Sequence, residues 1–269
     1  MKRYLFITSI LIFSCSFTLE KKPWFGNVYE LSLLSKYEYF YFSSVDSATK
    51  PLKKTNHNNK LHFNLSFPFS SQISIDSDLE LINSPRQSFN INYVGTQLRY
   101  LIFDDITGDI VSFVTSTNLK ISPKKSVEDI SCYSMGEVTF EGNISLGKEF
   151  LKKEFWVYRI WAFSALSIAN RGSPAISLTL SMDGNFYDDY ICACQLDFKH
   201  GYGKKTKINI KHFKGYGRLR EKSVDLSFKF GKKFKRGFIF LEYKRRILAH
   251  ICPKKVNSFI IKSIISFSF

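Results

Sequence analysis

The sequence predicts an all-β protein, a single antiparallel transmembrane β-barrel of about 12 strands, with 14 as the alternative count. Three observations carry this reading. Apolar residues alternate with polar ones at period two along almost the whole chain, and helical periodicity is nearly absent. The alternating stretches run ~9–15 residues, long enough for a strand tilted by about 45° to cross a bilayer. The chain also ends in "IISFSF", where Ile265, Phe267 and Phe269 point one way in an extended strand and Ser266 and Ser268 the other.

The N-terminus comes first. Lys2 and Arg3 precede the apolar run "YLFITSILIF" and the small residues of "SCS". That order of charge, apolar core and small residues is the pattern of an export signal. Residues 1–16 are therefore expected to be a signal peptide, and 17–269 one barrel domain in the bacterial outer membrane. The apolar run is too short to span as a helix. Phe13 is bulky for a lipidation site at Cys15.

Strands are expected near 29–42, 60–69, 72–82, 88–103, 110–121, 136–148, 154–169, 175–183, 189–202, 223–231, 237–248 and 258–269. "LHFNLSF" alternates Leu61, Phe63, Leu65 and Phe67. "ISIDSDLEL" sets Ile73, Ile75, Leu79 and Leu81 against Ser74, Asp76, Asp78 and Glu80. Turn formers separate the runs, in "DDITGD", "NRGSP", "DGN", "GKKFKR" and "CPKKVN". The phase of the fourth strand switches near Gly95, as a bulge at glycine would make it. "TKINIKHF" at 206–213 could add a strand. An even count brings both termini to one side, so it is read as part of a long loop.

Alternation alone does not separate a soluble β-fold from a membrane barrel, because both have one apolar face. The export signal, the strand lengths, and aromatic clusters such as "YEYFYF" and "EFWVYRIWAF" favour the membrane version, whose rims carry aromatic girdles. The alternating aromatic terminus resembles the C-terminal strand that the barrel assembly machinery of bacteria reads. In that resemblance Ile265, Phe267 and Phe269 form the assembly signal and face lipid. Ser263 departs from it, since an apolar residue is usual there.

With 39 Lys and Arg against 23 Asp and Glu, the chain carries a formal charge of +16. No zinc-finger spacing, RNA-binding aromatic signature or basic helix accompanies that charge, so no nucleic-acid partner is expected. Nor does any nucleophile elbow, P-loop, zinc-protease motif or dinucleotide fingerprint occur. His200 shares a face with Phe198 but has no companion serine. The protein is expected not to be an enzyme, with no cofactor and no metal. Cys132, Cys192, Cys194 and Cys252 follow the export signal, and their pairing is not legible.

On the polar faces, Asp76, Asp78 and Glu80 stack on the third strand and Glu137 and Glu141 lie on the sixth. Lys244, Arg246 and Lys262 lie on the last two. These eight are the expected lumen-facing residues. Acids dominate the early strands and bases the late ones, so Lys244, Arg246 and Lys262 are expected to face the three acids across the closure. The surplus positive charge falls in connections, around Lys50–Lys60 and Lys204–Lys222, expected as external loops one and five. The expected function is a porin-like passive pathway for small polar solutes. The alternatives are a closed barrel acting through its basic loops as an adhesin or structural envelope protein, and a secreted all-β binding protein. Leu226 and Phe140 are expected against acyl chains near mid-membrane.

Five stretches, "KPWFGNVYEL" at 22–31, "IFDDITGDIVS" at 102–112, "SLGKE" at 145–149, "IANRGSP" at 168–174 and the aromatic terminus, resemble an uncharacterised outer-membrane β-barrel protein family of chlamydia-like bacteria. The resemblance implies an outer-membrane barrel without an established catalytic activity. Taken by themselves, "DDITGD" and "NRGSP" are tight turns, with Asp, Asn and Gly in capped or left-handed geometry.

Overall fold

The computed structural model describes residues 21–52, 54–152, 155–235 and 237–268. The expected signal peptide, 1–16, and Phe269 lie outside the described residues. The chain forms β1 (Glu30–Phe42), β2 (Ser44–Val45), β3 (Asn56–Pro68), β4 (Ile73–Ser84), β5 (Gln87–Phe103), β6 (Ser112–Ile121), a helical turn α1 (Lys124–Val127), β7 (Val138–Lys152), β8 (Phe155–Ala169), β9 (Ala175–Phe186), β10 (Tyr190–Gly201), β11 (Lys222–Phe234), β12 (Gly237–His250), β13 (Pro253–Lys254) and β14 (Asn257–Ser268). Among the described residues, twelve of these close an antiparallel barrel in which each long strand pairs with its sequence neighbours. The barrel shuts where β1 meets β14, from Glu30 opposite Ser268 to Tyr41 opposite Asn257. Closure removes both sheet edges, as a bilayer requires. The remaining two, β2 and β13, pair only with each other, beyond the barrel rim.

Residues 206–213 form no strand. Ile208 makes a lone bridge to Ala48. β3 begins at Asn56 rather than at residue 60, because "NHNN" continues the ladder opposite Tyr39–Phe42. Ladder hydrogen bonds do not need an apolar face, so polar strand ends extend beyond the alternation. The bulge of β5 lies at Asn92, not at Gly95. Glu80 pairs with Tyr93 and Leu81 with Ile91, leaving Asn92 unmatched. Asn92 is buried and its amide reaches Glu80, while the Tyr93 hydroxyl meets His62 inside the barrel. Two consecutive inward side chains shift the phase. Gly95 instead permits a close approach between strands, since a Cβ there would lie 3.1 Å from that of Asp78.

The two ends differ. At one, the connections are short: 69–72, 104–111, 153–154, 187–189 and 235–236. At the other they include 43–55, 122–137 and 202–221. Short turns on one side and long loops on the other are the habit of outer-membrane barrels. Outward residues such as Leu98, Ile144, Leu180, Leu241 and Ile261 are exposed around the wall. Aromatic pairs ring the turn end, among them Phe67–Phe69, Phe150–Tyr158 and Tyr190–Phe230. Tyr39 and Tyr41 stack on His57 at the loop end. A continuous exposed apolar belt between aromatic rims is stable only against lipid.

Candidate functional site: the barrel interior

The inward residues of the strands make a charged interior that is closed at both ends. At the turn end the chain itself enters the barrel before β1 begins. Residues 21–26 lie along the inner wall as a strap. Lys21 donates to Thr179 at 3.0 Å and reaches Asp197 at 3.3 Å. The Lys22 ammonium sits 2.7 Å from Asp183, and its carbonyl accepts from Arg99. Trp24 packs with Trp161, Phe163 and Ala165 of β8 and donates its indole N–H to Asp105 at 2.9 Å. The guanidinium groups of Arg159 and Arg99 lie over the rings of Trp24 and Phe25, at 4.7 and 4.6 Å. Each cation in these contacts is also held by an acid, Arg159 by Glu149 and Arg99 by Asp76, so the strap joins networks that are already satisfied.

Asp105 shows why the strap lodges here. Its carboxylate also accepts from Ser112 and from the Glu149 backbone N–H. Burial pushes this carboxyl up, and those three donors more than offset it, holding it below the ordinary carboxylate range. The "DDITGD" stretch is the tight turn expected, closed by Asp109 N–H to Asp104 O. It is also the strap's receptor, a role the turn residues alone do not reveal.

In the middle, acids and bases pair within each wall rather than across the barrel. Asp76 accepts from Ser66 at 2.6 Å and Ser74 at 3.0 Å, with Arg99 of the next strand 3.6 Å away. Asp78 lies 3.4 Å from His62. Glu80 pairs with Lys60 at 2.9 Å. Glu141 accepts from Ser167 at 2.7 Å and faces Lys120 at 3.6 Å. On the opposite wall, Lys244 reaches Asp197 at 2.9 Å and Asp225 at 3.7 Å. Arg246 holds Asp225 with two nitrogens, at 2.7 and 3.0 Å. Lys244 and Arg246 thus pair with acids on their own wall, although they border the same cavity as Glu80 of β4; Glu80 and Asp76 pair instead with Lys60 and Arg99 of the neighbouring strands β3 and β5. Adjacent strands place inward residues close enough to pair directly, so compensation across a wide lumen is unnecessary. Lys262 lines a different space, nearer the turn end. Glu137 lies just before β7 at the loop rim, 3.8 Å from Arg171 and partly exposed, and so guards the rim rather than the interior. Ile265 and Phe267 are exposed on the outer wall beside β1.

At the loop end a small apolar core crosses the mouth. Phe40 and Phe42 of β1 and Ile82 of β4 meet Ile130 and Cys132, Ile208, Phe213 and Tyr216, and Ile251, Cys252 and Val256. These come from different sides of the ring. Tyr216 donates its hydroxyl to Ile130 O at 2.7 Å and stacks on Tyr133. Burial pushes the Tyr133 phenol up to about 12, so it stays neutral beneath Arg246. Cys132 and Cys252 are free thiols within this cap, and Cys192 and Cys194 are free thiols on the outer wall.

Between strap and cap the interior is open. One cavity of about 290 Å³ is bounded by Lys36, Glu38, Lys60 and Glu80 on one wall and Asp197, Asp225 and Lys244 on the other. A second, about 260 Å³, separates the strap from the inner faces of β10, β12, β14 and β1, with Lys229 and Lys262 among its walls. The first is mainly polar, the second has a mixed lining that includes Phe25, Leu34 and Phe240, and each is roomy enough for several waters. Sequence reasoning found the charged strands but missed the strap and cap. Nothing in local periodicity marks a segment that crosses a lumen.

No protein-family model matches the sequence, and no curated protein matches it either. Solved structures do. An outer membrane channel from Pseudomonas putida F1 superposes with a TM-score of 0.63 at 9% identity, over 93% of this chain and 100% of that one. The protein has the fold of an outer-membrane channel. The NanC porin gives 0.60 at 10% identity, covering 87% of this chain and all of its own. The KdgM porin, in a complex with disordered oligogalacturonate, gives 0.53 at 12% identity, over 88% of this chain and 99% of that one. At such identities the likeness is one of fold: a closed 12-stranded antiparallel barrel.

Proposed function

We propose that the protein is a porin-like passive pathway for small polar solutes across the bacterial outer membrane, held shut by the strap and the cap. The observation that carries this reading is the interior itself. A barrel serving only as an anchor can fill its lumen with side chains. Here charged side chains are folded back against the walls in pairs, leaving cavities with charged residues in their walls inside the barrel. The channel fold supports the same reading. On it, the turn end is periplasmic, the loop end external, residues 1–16 an export signal, and the aromatic strand end read by the assembly machinery.

Of the two closures the strap is the one to yield. It buries one large aromatic anchor, Trp24, whose transfer contributes roughly 2–3 kcal/mol, and its other ties are polar contacts that water can replace. The cap buries apolar side chains from three connections and two strands and is far costlier to open. The test is planar-bilayer conductance of the full chain and of a variant with Lys22→Gln and Trp24→Ala. Small, infrequent openings that become large and frequent in the variant support the pathway. Silence of both, with normal heat-modifiable migration, sinks it and favours the second reading. That reading, a closed barrel working through its loops, rests on the apolar cap across the mouth.

A further inference from the structure

The charge of this chain is not spread evenly between its ends. The connections at the loop end hold sixteen Lys and Arg against five Asp and Glu, whereas those at the turn end hold three against six. Within the loop end, the acids are mostly consumed. Asp129 and Glu221 are buried, against Ser84 and Lys199 respectively. Asp46 is tied to Lys254 at 2.6 Å, and Glu137 to Arg171. The bases of the β10–β11 connection point the other way. Lys204, Lys207, Lys211 and Lys214 are exposed, while Ile208, Phe213 and Tyr216 between and beside them are buried in the cap. This connection is therefore a roof, apolar underneath and basic on top, laid across the mouth.

The roof is fixed in place. Ile208 exchanges backbone hydrogen bonds with Ser47 and Thr49 at 2.9 and 2.8 Å. Arg86 reaches across to the carbonyls of Ile210 and Glu128. The "NRGSP" turn holds its far end, with Ser173 N–H on Gly217 O at 2.6 Å. Gly172 has a φ of +125°, and a Cβ there would lie 2.3 Å from that same oxygen. A backbone already fixed leaves less to order when a ligand arrives, which raises affinity.

We propose that this roof is a docking surface for an extended anionic polysaccharide, sulfated or carboxylated, presented from outside the cell. A row of exposed ammonium groups at steps of three and four residues suits repeated anionic groups along a chain, and Asn209 and Thr206 among them offer partners for sugar hydroxyls. Single-stranded nucleic acid fits less well, because stacking platforms supply much of its binding; Phe213 and Tyr216 among these lysines are buried beneath them, and Tyr202, which is exposed, lies before the row and packs on His200. Lipid headgroups fit less well too, because the roof rests on the cap over the mouth rather than on the lipid-facing wall.

The test uses the full chain in lipid nanodiscs of zwitterionic lipid, with heparin as the probe and neutral dextran as the blank, at about 0.15 M salt, where weak long-range attraction is screened. Heparin is expected to bind and dextran not to. Lys204, Lys207, Lys211 and Lys214→Gln together are expected to weaken heparin binding at least tenfold. They should also flatten the dependence of log K on log salt, since fewer counterions are released from the polyanion. Lys152→Gln with Lys232→Gln, near the turn end and away from the roof, should leave both unchanged. If the fourfold variant fails to show heat-modifiable migration, Lys207→Gln with Lys211→Gln gives the same reading with a smaller change. The proposal is overturned if the wild type does not bind heparin, if roof and control variants bind alike, or if anionic vesicles bind the roof in preference to heparin. Because binding is read without conductance, its failure is separate from failure of the channel reading.

Discussion

The indole N–H of Trp24 donates to the carboxylate of Asp105 across 2.9 Å, joining two stretches 81 positions apart. A third stretch meets them there. Ser145 donates to Lys21 O at 2.7 Å, and the Glu149 N–H donates to Asp105. "KPWFGN", "DDITGD" and "SLGKE" are thus three parts of one dock. Trp24→Phe keeps the ring and removes the donor. A hydrogen bond to a charged group contributes about 1.5–3 kcal/mol, and Asp105 keeps its other two donors. Trypsin cleavage after Lys21 should rise several-fold while the barrel stays protease-resistant; the Lys22–Pro23 bond resists trypsin in both proteins. Equal cleavage of both proteins would mean that this bond does not hold the strap.

Gly147 makes the dock possible. A Cβ at this position would lie 2.6 Å from Pro23 and 2.8 Å from Trp24, inside van der Waals contact, whereas at Gly142 on the same strand nothing lies within 4 Å. Gly147→Ala should expel the strap and raise open-channel frequency in bilayers. Gly142→Ala should behave as wild type. If the two alanine variants conduct alike, the strap is not the closure.

Much of this is legible in the sequence, for a physical reason. A strand reports its inward and outward faces residue by residue, so alternation locates all twelve long strands and the aromatic rims. Parity alone assigns "TKINIKHF" to a loop, as the structure has it. The strap and cap are not legible, because a segment docked by Lys22, Trp24 and a single turn has no period. The bulge falls at Asn92 and not at the expected Gly95. Glycine is the commoner mark of a bulge, but here two polar residues, Asn92 and Tyr93, both find partners inside. Pairing of Asp76 with Arg99, and Glu80 with Lys60, depends on inter-strand register, which one strand's pattern does not carry.

Register makes a prediction about the Glu80–Lys60 pair. The Lys60 side chain is 11% exposed and its ammonium also lies over the rings of Phe40 and Tyr133. Glu80→Gln leaves that ammonium with weaker compensation and should destabilise the barrel by about 3 kcal/mol in denaturant unfolding from vesicles. Adding Lys60→Met removes the stranded charge and should recover most of the loss. A double variant no more stable than Glu80→Gln would show that Lys60 is neutralised by another group.

Asp46 gives the external loops an acid limit. Burial pushes its carboxyl up, but the Ile251 N–H, the Lys254 ammonium and the Ser47 hydroxyl push it further down, from 3.8 to about 2. A depressed carboxyl contributes stability above its unfolded value, and that contribution is lost as pH falls toward the folded one. Pairing of β2 with β13 should therefore hold at pH 4 and loosen between pH 4 and 2. Amide exchange at Ile251, corrected for its intrinsic rate, should accelerate in that window, and Asp46→Asn should abolish the step. A step that survives in the variant belongs to a different carboxyl.

The outer wall supplies a depth scale. Phe140 pairs with Leu119 and Ile168, each near the loop end of its strand, so it lies at the rim and not at mid-membrane. Ile144 pairs with Thr115 and Ser164, well inside all three strands, and is 49% exposed toward the outside. Arginine facing lipid costs about 2–4 kcal/mol at the midplane and about 0–1 near an interface, where it can reach the headgroups. Ile144→Arg should therefore destabilise the barrel in vesicles by about 2–4 kcal/mol, and Phe140→Arg by much less. Both proteins should still migrate as heat-modifiable barrels if folded under gentle conditions. The reverse ranking would place the bilayer nearer the loops than the aromatic rims do. Two equal, negligible effects would mean that this face of the barrel does not meet lipid.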